Sequence, residues 1–187
     1  MSLVKIIPIS LLLLTTNATS STLKENLIAE YFSFYCPHCY KFEPVVHKIE
    51  NIYSDKARIV KRHASFMGGE FGPKLSQLYA ASTILGLQDQ ITPKIFSLIH
   101  DKDDKYFSDV ETLLEKINFD KKISNQLLKE NYKLSSKLLS DFYQKAFKES
   151  GLTAVPNVTI NSVKLDTKGV DNLKQYFEVV NAMLDKK

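Results

Sequence analysis

Cysteine is almost absent from this chain: two residues in 187, Cys36 and Cys39. A structural zinc site needs four ligands. With no third cysteine and no ligand spacing among His47, His63 and His100, no metal site is expected. Covalent haem attachment requires histidine directly after the second cysteine, and Tyr40 stands there instead. No cofactor is implied. Internal repeats and low-complexity tracts are also missing, and no apolar run approaches the ~20 residues that span a bilayer. Charge of one sign is not concentrated: 25 Lys and Arg are scattered among 21 Asp and Glu, a formal net charge of +4. A nucleic-acid footprint would need a basic stripe, so no nucleic-acid partner is expected.

The first residues form a separate unit. Met1 to Lys5 is a short basic start, Ile6 to Leu14 an apolar run interrupted by Pro8, and Thr15 to Ser21 a small polar stretch in which Ala18-Thr19-Ser20 resembles a cleavage site. Residues 1–20 therefore read as a cleavable secretory signal peptide, and no cysteine near the cut suggests a lipid anchor. Export would place the rest where disulfides persist. The 44% hydrophobic content suffices for a core in one domain, with room for an inserted subdomain.

What the chain does hold is gathered in Phe34-Tyr35-Cys36-Pro37-His38-Cys39-Tyr40. The preceding Leu27 to Phe34 reads as a buried strand, and Pro37 to about Tyr53 carries helical spacing at Phe42, Val45, Val46, Ile49 and Tyr53. Cys36 then falls at the first turn of a helix, where free N–H groups and the helix dipole favour an anion. Pro37 suits the first helical position, and a protonated His38 adds positive charge. The Cys36 thiol should therefore have a depressed pKa, each unit adding about 1.4 kcal/mol in favour of thiolate. Whatever stabilises the reduced form makes a Cys36–Cys39 disulfide a stronger oxidant. A purely structural bridge would close too small a loop to stabilise much.

Glu30 interrupts the strand on the face it shares with Ile28, Phe32 and Phe34. Either it turns to water on an edge strand, or it is a buried acid that relays protons to the thiols. A second strand is read over Ala57 to His63, with Lys61 a candidate partner for Glu30. Beyond Met67-Gly68-Gly69, helices are expected over Pro73 to Leu85, from a Thr92 cap and Pro93, from a Ser108-x-x-Glu111 capping box, and from Asp120 onward to a stop at Gly151. The leucine and aromatic stripes there, including Leu134, Leu138 and Phe142, are expected to be core. Strand composition returns at Ala154 to Ile160, a hairpin turns at Asn161-Ser162, and Val170 to Leu184 forms a last amphipathic helix.

This order, with Cys-x-x-Cys at the first strand–helix junction and proline before the third strand, resembles a thioredoxin fold with a helical insertion. Glu30 to Glu43 (EYFSFYCPHCYKFE), Lys61 to Gly69 (KRHASFMGG) and Ala154-Val155-Pro156 together resemble the DsbA family of secreted bacterial thiol:disulfide oxidases. The resemblance implies an α/β class with a central mixed sheet of about four strands. Residues 21–66 and 148–187 would form the thioredoxin-like domain and 67–147 an inserted all-helical one. It further implies catalysis by Cys36, exposed and reactive, with Cys39 as the buried resolving thiol and Pro37-His38 as an oxidase-type intervening pair. Val155 and Pro156 would line the substrate groove, and Glu30 and Lys61 form a buried charge pair. The expected setting is the periplasm, the expected partners reduced cysteine-containing exported proteins and a quinone-linked membrane reoxidase of DsbB type, and the expected state a monomer. The chain departs from the resemblance at its start, where roughly half a dozen residues between the cut and Leu27 leave no room for the edge strand that usually opens members of the family. Two rival readings remain: a disulfide reductase or isomerase, and a soft-metal carrier using Cys36, His38 and Cys39 for an ion such as Cu(I).

Overall fold

The strand before the cysteine motif is the centre of the sheet. In the computed structural model, which describes residues 26–186, β1 (Asn26–Phe32) pairs in parallel with β2 (Ala57–His63) and antiparallel with β3 (Asn157–Ile160); β4 (Val163–Lys164) extends β3 antiparallel, giving the order β2-β1-β3-β4. The signal peptide expected over 1–20 and the question of an opening edge strand lie outside the described residues. Lying between two neighbours, β1 has both faces covered, which is why its sequence is nearly continuous in apolar residues. Ile28 packs with Ile49 and Tyr53 of α1 (Pro37–Tyr53) and with Tyr176 and Val180 of α7 (Leu173–Leu184); Ala29 and Tyr31 face the opposite side, against Ala146 and Leu152. The fold is thioredoxin-like and mixed α/β. Its hairpin turns at Asn161 and Ser162, both with positive φ (52° and 69°), the paired left-handed backbone that tight hairpins require.

Between β2 and β3 come α2 (Phe71–Ile84), α3 (Gln88–His100), α4 (Val110–Lys116), α5 (Lys121–Asn131) and α6 (Leu134–Glu149). Several details differ from the sequence reading. Helix α3 begins at Gln88, so Thr92 and Pro93 lie inside it, with Thr92 buried rather than capping. The cap of α4 is Asp109, whose Oδ1 accepts from the Thr112 amide at 2.7 Å; Ser108 donates to the Asp109 carboxylate instead. Asp120 caps α5 as expected, but the helix ends at Asn131 and a new one starts at Leu134.

The largest discrepancy is the buried face of α6. Leu134, Leu138 and Phe142 are 67%, 57% and 48% exposed, while Ser136, Ser140, Tyr143 and Ala146 face inward. Small serines let α6 lie close to α2, and their hydroxyls are satisfied there: Ser140 Oγ donates to Ser76 Oγ at 3.0 Å and Ser136 Oγ to the Glu130 carbonyl at 2.8 Å. Hydrophobic periodicity cannot register a face sealed by hydrogen bonds. Gln144 extends this network to the sheet, accepting from the Ser65 amide and donating to the His63 carbonyl, both at 2.9 Å.

The chain leaves β2 through Ala64 to Gly69 and passes against α2 at Gly72, where a methyl group would collide with the carbonyl oxygens of Ser65 and Met67. Neither oxygen belongs to a flexible side chain. Gly72→Ala is therefore expected to lower the unfolding free energy by about 2–3 kcal/mol, read as a lower urea midpoint; an unchanged midpoint would show that this crossing can relax.

Candidate active site

Cys36 is the N-cap of α1, with extended backbone (φ −92°, ψ 111°), and its Sγ accepts the Cys39 amide N–H at 3.2 Å. It occupies the position of a serine or aspartate cap and satisfies an amide that the helix cannot. Pro37 follows as the first helical residue, where its missing N–H costs nothing. Both sulfurs are free thiols, and the Cys36 Sγ also donates to the Val155 carbonyl at 3.5 Å. One expectation is corrected here: Cys36 is not exposed but 3% accessible, because Val155 covers it from one side and the aromatic core from below. Cys39 is fully buried, and burial, then its hydrogen bond with Cys36, push its thiol well up. Pro37 and His38 are exposed on the outer rim of the turn.

The backbone of Phe34, between β1 and the cap, is held by two histidines, one on its N–H and one on its carbonyl. The Phe34 amide donates to Nε2 of His63 at 3.2 Å, and Nε2 of His100 lies 2.8 Å from the Phe34 carbonyl, to which it must donate because a carbonyl only accepts. Burial pushes His63 down to about 3, which keeps the imidazole neutral and able to accept. His100 also stacks on Tyr40, ring centroids 5.2 Å apart and 10° from parallel, while the Tyr40 hydroxyl donates to Asp101 at 2.9 Å. The end of α3 thus grips the residues on either side of the two cysteines. Sequence reasoning considered His63 and His100 only as metal ligands, and no spacing marks either as a clamp.

Glu30 is buried on the central strand, so the edge-strand alternative does not apply. Lys61 lies opposite it in register, with Nζ 3.6 Å from a Glu30 oxygen. That pair is incomplete as expected from sequence, because Lys61 binds Glu43 of α1 more closely, at 2.6 and 2.7 Å to its two oxygens. Glu43 lies within the quoted motif but was not singled out. One ammonium therefore serves two carboxylates, and neither Glu30 oxygen has a hydrogen-bond partner. Burial raises the Glu30 carboxyl to about 7, with Lys61 opposing and Glu43 adding to the rise; the Glu30 charge in turn helps push the Cys39 thiol up.

Val155-Pro156 is joined by a cis peptide and stands against Cys36, both residues partly accessible. The structure thus gathers Cys36, Cys39, Val155 and Pro156 in one cluster, with only Val155 and Pro156 partly accessible, and sets Glu30, Lys61 and Glu43 in the interior nearby. Among the described residues, no three His, Cys, Asp or Glu side chains are grouped as a metal ion requires.

The DSBA-like thioredoxin domain family matches residues 27–178. The chain is 30% identical over 176 residues to the thiol:disulfide interchange protein DsbA of Dickeya dadantii, covering 86% of this chain and 81% of that protein. It is 29% identical over 180 residues to the DsbA of Pectobacterium carotovorum, covering 88% and 83%. Among solved structures, the disulfide oxidoreductase DsbA of Proteus mirabilis aligns with a TM-score of 0.72 at 25% identity, covering 84% of this chain and 87% of that one.

The Glu30 carboxyl holds its proton more tightly in the folded protein than in the unfolded chain, where it titrates near 4.5. Its burial is therefore without penalty below that value and destabilises progressively as pH rises through about 7. Glu30→Gln is expected to stabilise the dithiol form at about pH 8 by up to about 3 kcal/mol more than at pH 4. Urea unfolding at the two pH values measures this, and an equal effect at both would mean that folding does not shift the titration of Glu30.

Proposed function

Because the chain belongs to the DSBA-like thioredoxin domain family and is a thiol:disulfide oxidoreductase, we propose that it works as an oxidant, donating a Cys36–Cys39 disulfide to reduced cysteines of exported proteins. The observation that carries this is the N-cap sulfur: Cys36 Sγ accepts an amide at the mouth of α1, directly above a sealed Cys39. Backbone N–H groups at a helix N-terminus favour a thiolate there, and a stabilised reduced form makes the disulfide the better donor.

In the proposed reaction a substrate thiolate attacks Cys36 Sγ and the Cys36–Cys39 bond breaks. Cys39 departs with the electron pair, and its high-lying thiol takes up a proton, for which the buried Glu30 carboxyl, whose charge is felt at Cys39, would be the source. A second substrate thiolate then attacks the substrate sulfur of the mixed disulfide and expels Cys36 as thiolate. Two electrons pass to the protein, and the substrate gains a disulfide. Val155 and Pro156 would hold the substrate backbone across the attacked sulfur, Pro37 and His38 would form the exposed rim, and Lys61, shared with Glu43, would set how readily Glu30 yields its proton. We place this chemistry in the periplasm, with a quinone-linked membrane protein of DsbB type restoring the disulfide and the chain acting as a monomer built of a thioredoxin-like part and a helical insert.

A reductase or isomerase would need a more reducing couple, so equilibration of the Cys36–Cys39 pair against glutathione decides between the readings. A strongly oxidising equilibrium is expected; one as reducing as that of thioredoxin would transfer the assignment to a reductase. Cys36→Ala should lower oxidation of a reduced two-cysteine peptide at least about 1000-fold, and Cys39→Ala, which has no disulfide of its own to donate, should attack oxidised glutathione through Cys36, release one glutathione thiolate and retain the other as a mixed disulfide visible by mass. If Cys36→Ala still oxidised the peptide, the attacked sulfur would be misassigned.

A further inference from the structure

Beside the cysteine turn, on the side formed by Tyr35, lies a recess of about 450 Å³ that the proposed reaction does not use. Its walls are the rings of Tyr35, Phe71, Tyr106 and Phe107, with Gly68 contributing backbone and Lys105 the rim. Three features mark it as a built site. Gly68, at φ +85°, lets the Tyr35 ring lie directly on the chain; any side chain there would occupy the space of that ring. The Tyr35 hydroxyl donates to the Lys105 carbonyl at 3.0 Å, fastening the loop between α3 and α4 to the residue next to Cys36. At the tip of that loop Tyr106 is 90% exposed, the highest value among the large hydrophobic residues described, and it borders the recess.

Two of the nearby cations are already paired: Lys105 binds Asp103 at 2.5 Å and Lys116 binds Asp104 at 2.7 Å; Lys74 lies over the Phe71 ring while donating to the Ser108 carbonyl. The lining itself is mainly aromatic, so a flat apolar guest would find aromatic side chains on several sides. Rings in such surroundings attract one another beyond their buried area. An extended chain advances about 3.3 Å per residue, so two or three residues carry a substrate from its cysteine at Cys36 past the Tyr35 ring.

We propose that this recess is a second recognition element for the substrate, taking an aromatic side chain two or three residues from the attacking cysteine. The inference rests on Cys36 being the sulfur that substrate thiolates attack. Substrate is then read at two places: backbone at Val155-Pro156, and one side chain at the recess.

The test uses the oxidised full-length protein and single-cysteine peptides with serine elsewhere, one phenylalanine being placed at each of three positions on either side of the cysteine. The readout is the second-order rate of mixed-disulfide formation relative to the all-serine peptide. A gain of about five- to tenfold is expected at two or three residues on one side only. In Tyr106→Ala that ratio should fall to about one, and in Tyr106→Phe, which keeps the ring, it should return. A gain that survives Tyr106→Ala, or no gain at any position, overturns the proposal while leaving the oxidase reading intact. If the wild-type protein forms no mixed disulfide with any peptide, both fall.

Discussion

The position of one sulfur atom depends on the rigidity of one strand. β1 is hydrogen-bonded on both edges and packed on both faces, so its end is a fixed point in the molecule. From that point the chain has one turn in which to become helix α1, and Cys36 fills the cap position of that helix, using its sulfur to satisfy the Cys39 amide. A weak hydrogen bond to sulfur would not by itself order such a turn. The two histidines that hold the Phe34 backbone, and the α3 residues that hold Tyr40, do so from outside. Reactivity is thus located by the sheet and oriented by the helical insertion.

Beneath the sulfurs the structure accepts an unfavourable arrangement. A buried carboxylate and a partly buried one share one lysine, and Glu30, the buried one, makes no hydrogen bond. Replacing such a group with an apolar one often stabilises a fold, so its presence in the central strand is better explained by chemistry than by stability. A carboxyl that exchanges its proton near neutral pH, close enough to influence Cys39, suits a reaction in which a buried thiol must gain and lose a proton.

The helical block has more than a packing role. Phe32 and Phe34 pack edge-on against Tyr79 and Phe96 of α2 and α3, joining the end of β1 to the insertion through one aromatic cluster. The same block supplies His100 and Asp101 to the cysteine turn, and the loop after α3 closes over Tyr35. Gln144 ties the far helix α6 back to the segment leaving β2. The apolar stripe of α6 remains at the surface because its serine face, not its leucine face, meets α2.

Much of this protein was determined by residues adjacent in sequence. The bounds of α1 and β2, the Asp120 cap, the left-handed stop at Gly151 and the Asn161-Ser162 turn follow from spacing, propensity and backbone freedom, which are local properties. The two cysteines announced their chemistry for the same reason, since three peptide bonds and one helix end suffice to bring Cys36 Sγ to the Cys39 amide. Everything requiring contact between distant segments was decided by the tertiary structure. It made Lys61 the partner of Glu43 more than of Glu30, turned the serines of α6 inward, covered Cys36 with Val155, and recruited His63 and His100 to the two peptide units that flank Phe34. A hydrogen bond or ion pair is a meeting of two groups, and a sequence names each group without saying which others the fold will bring within three ångströms of it.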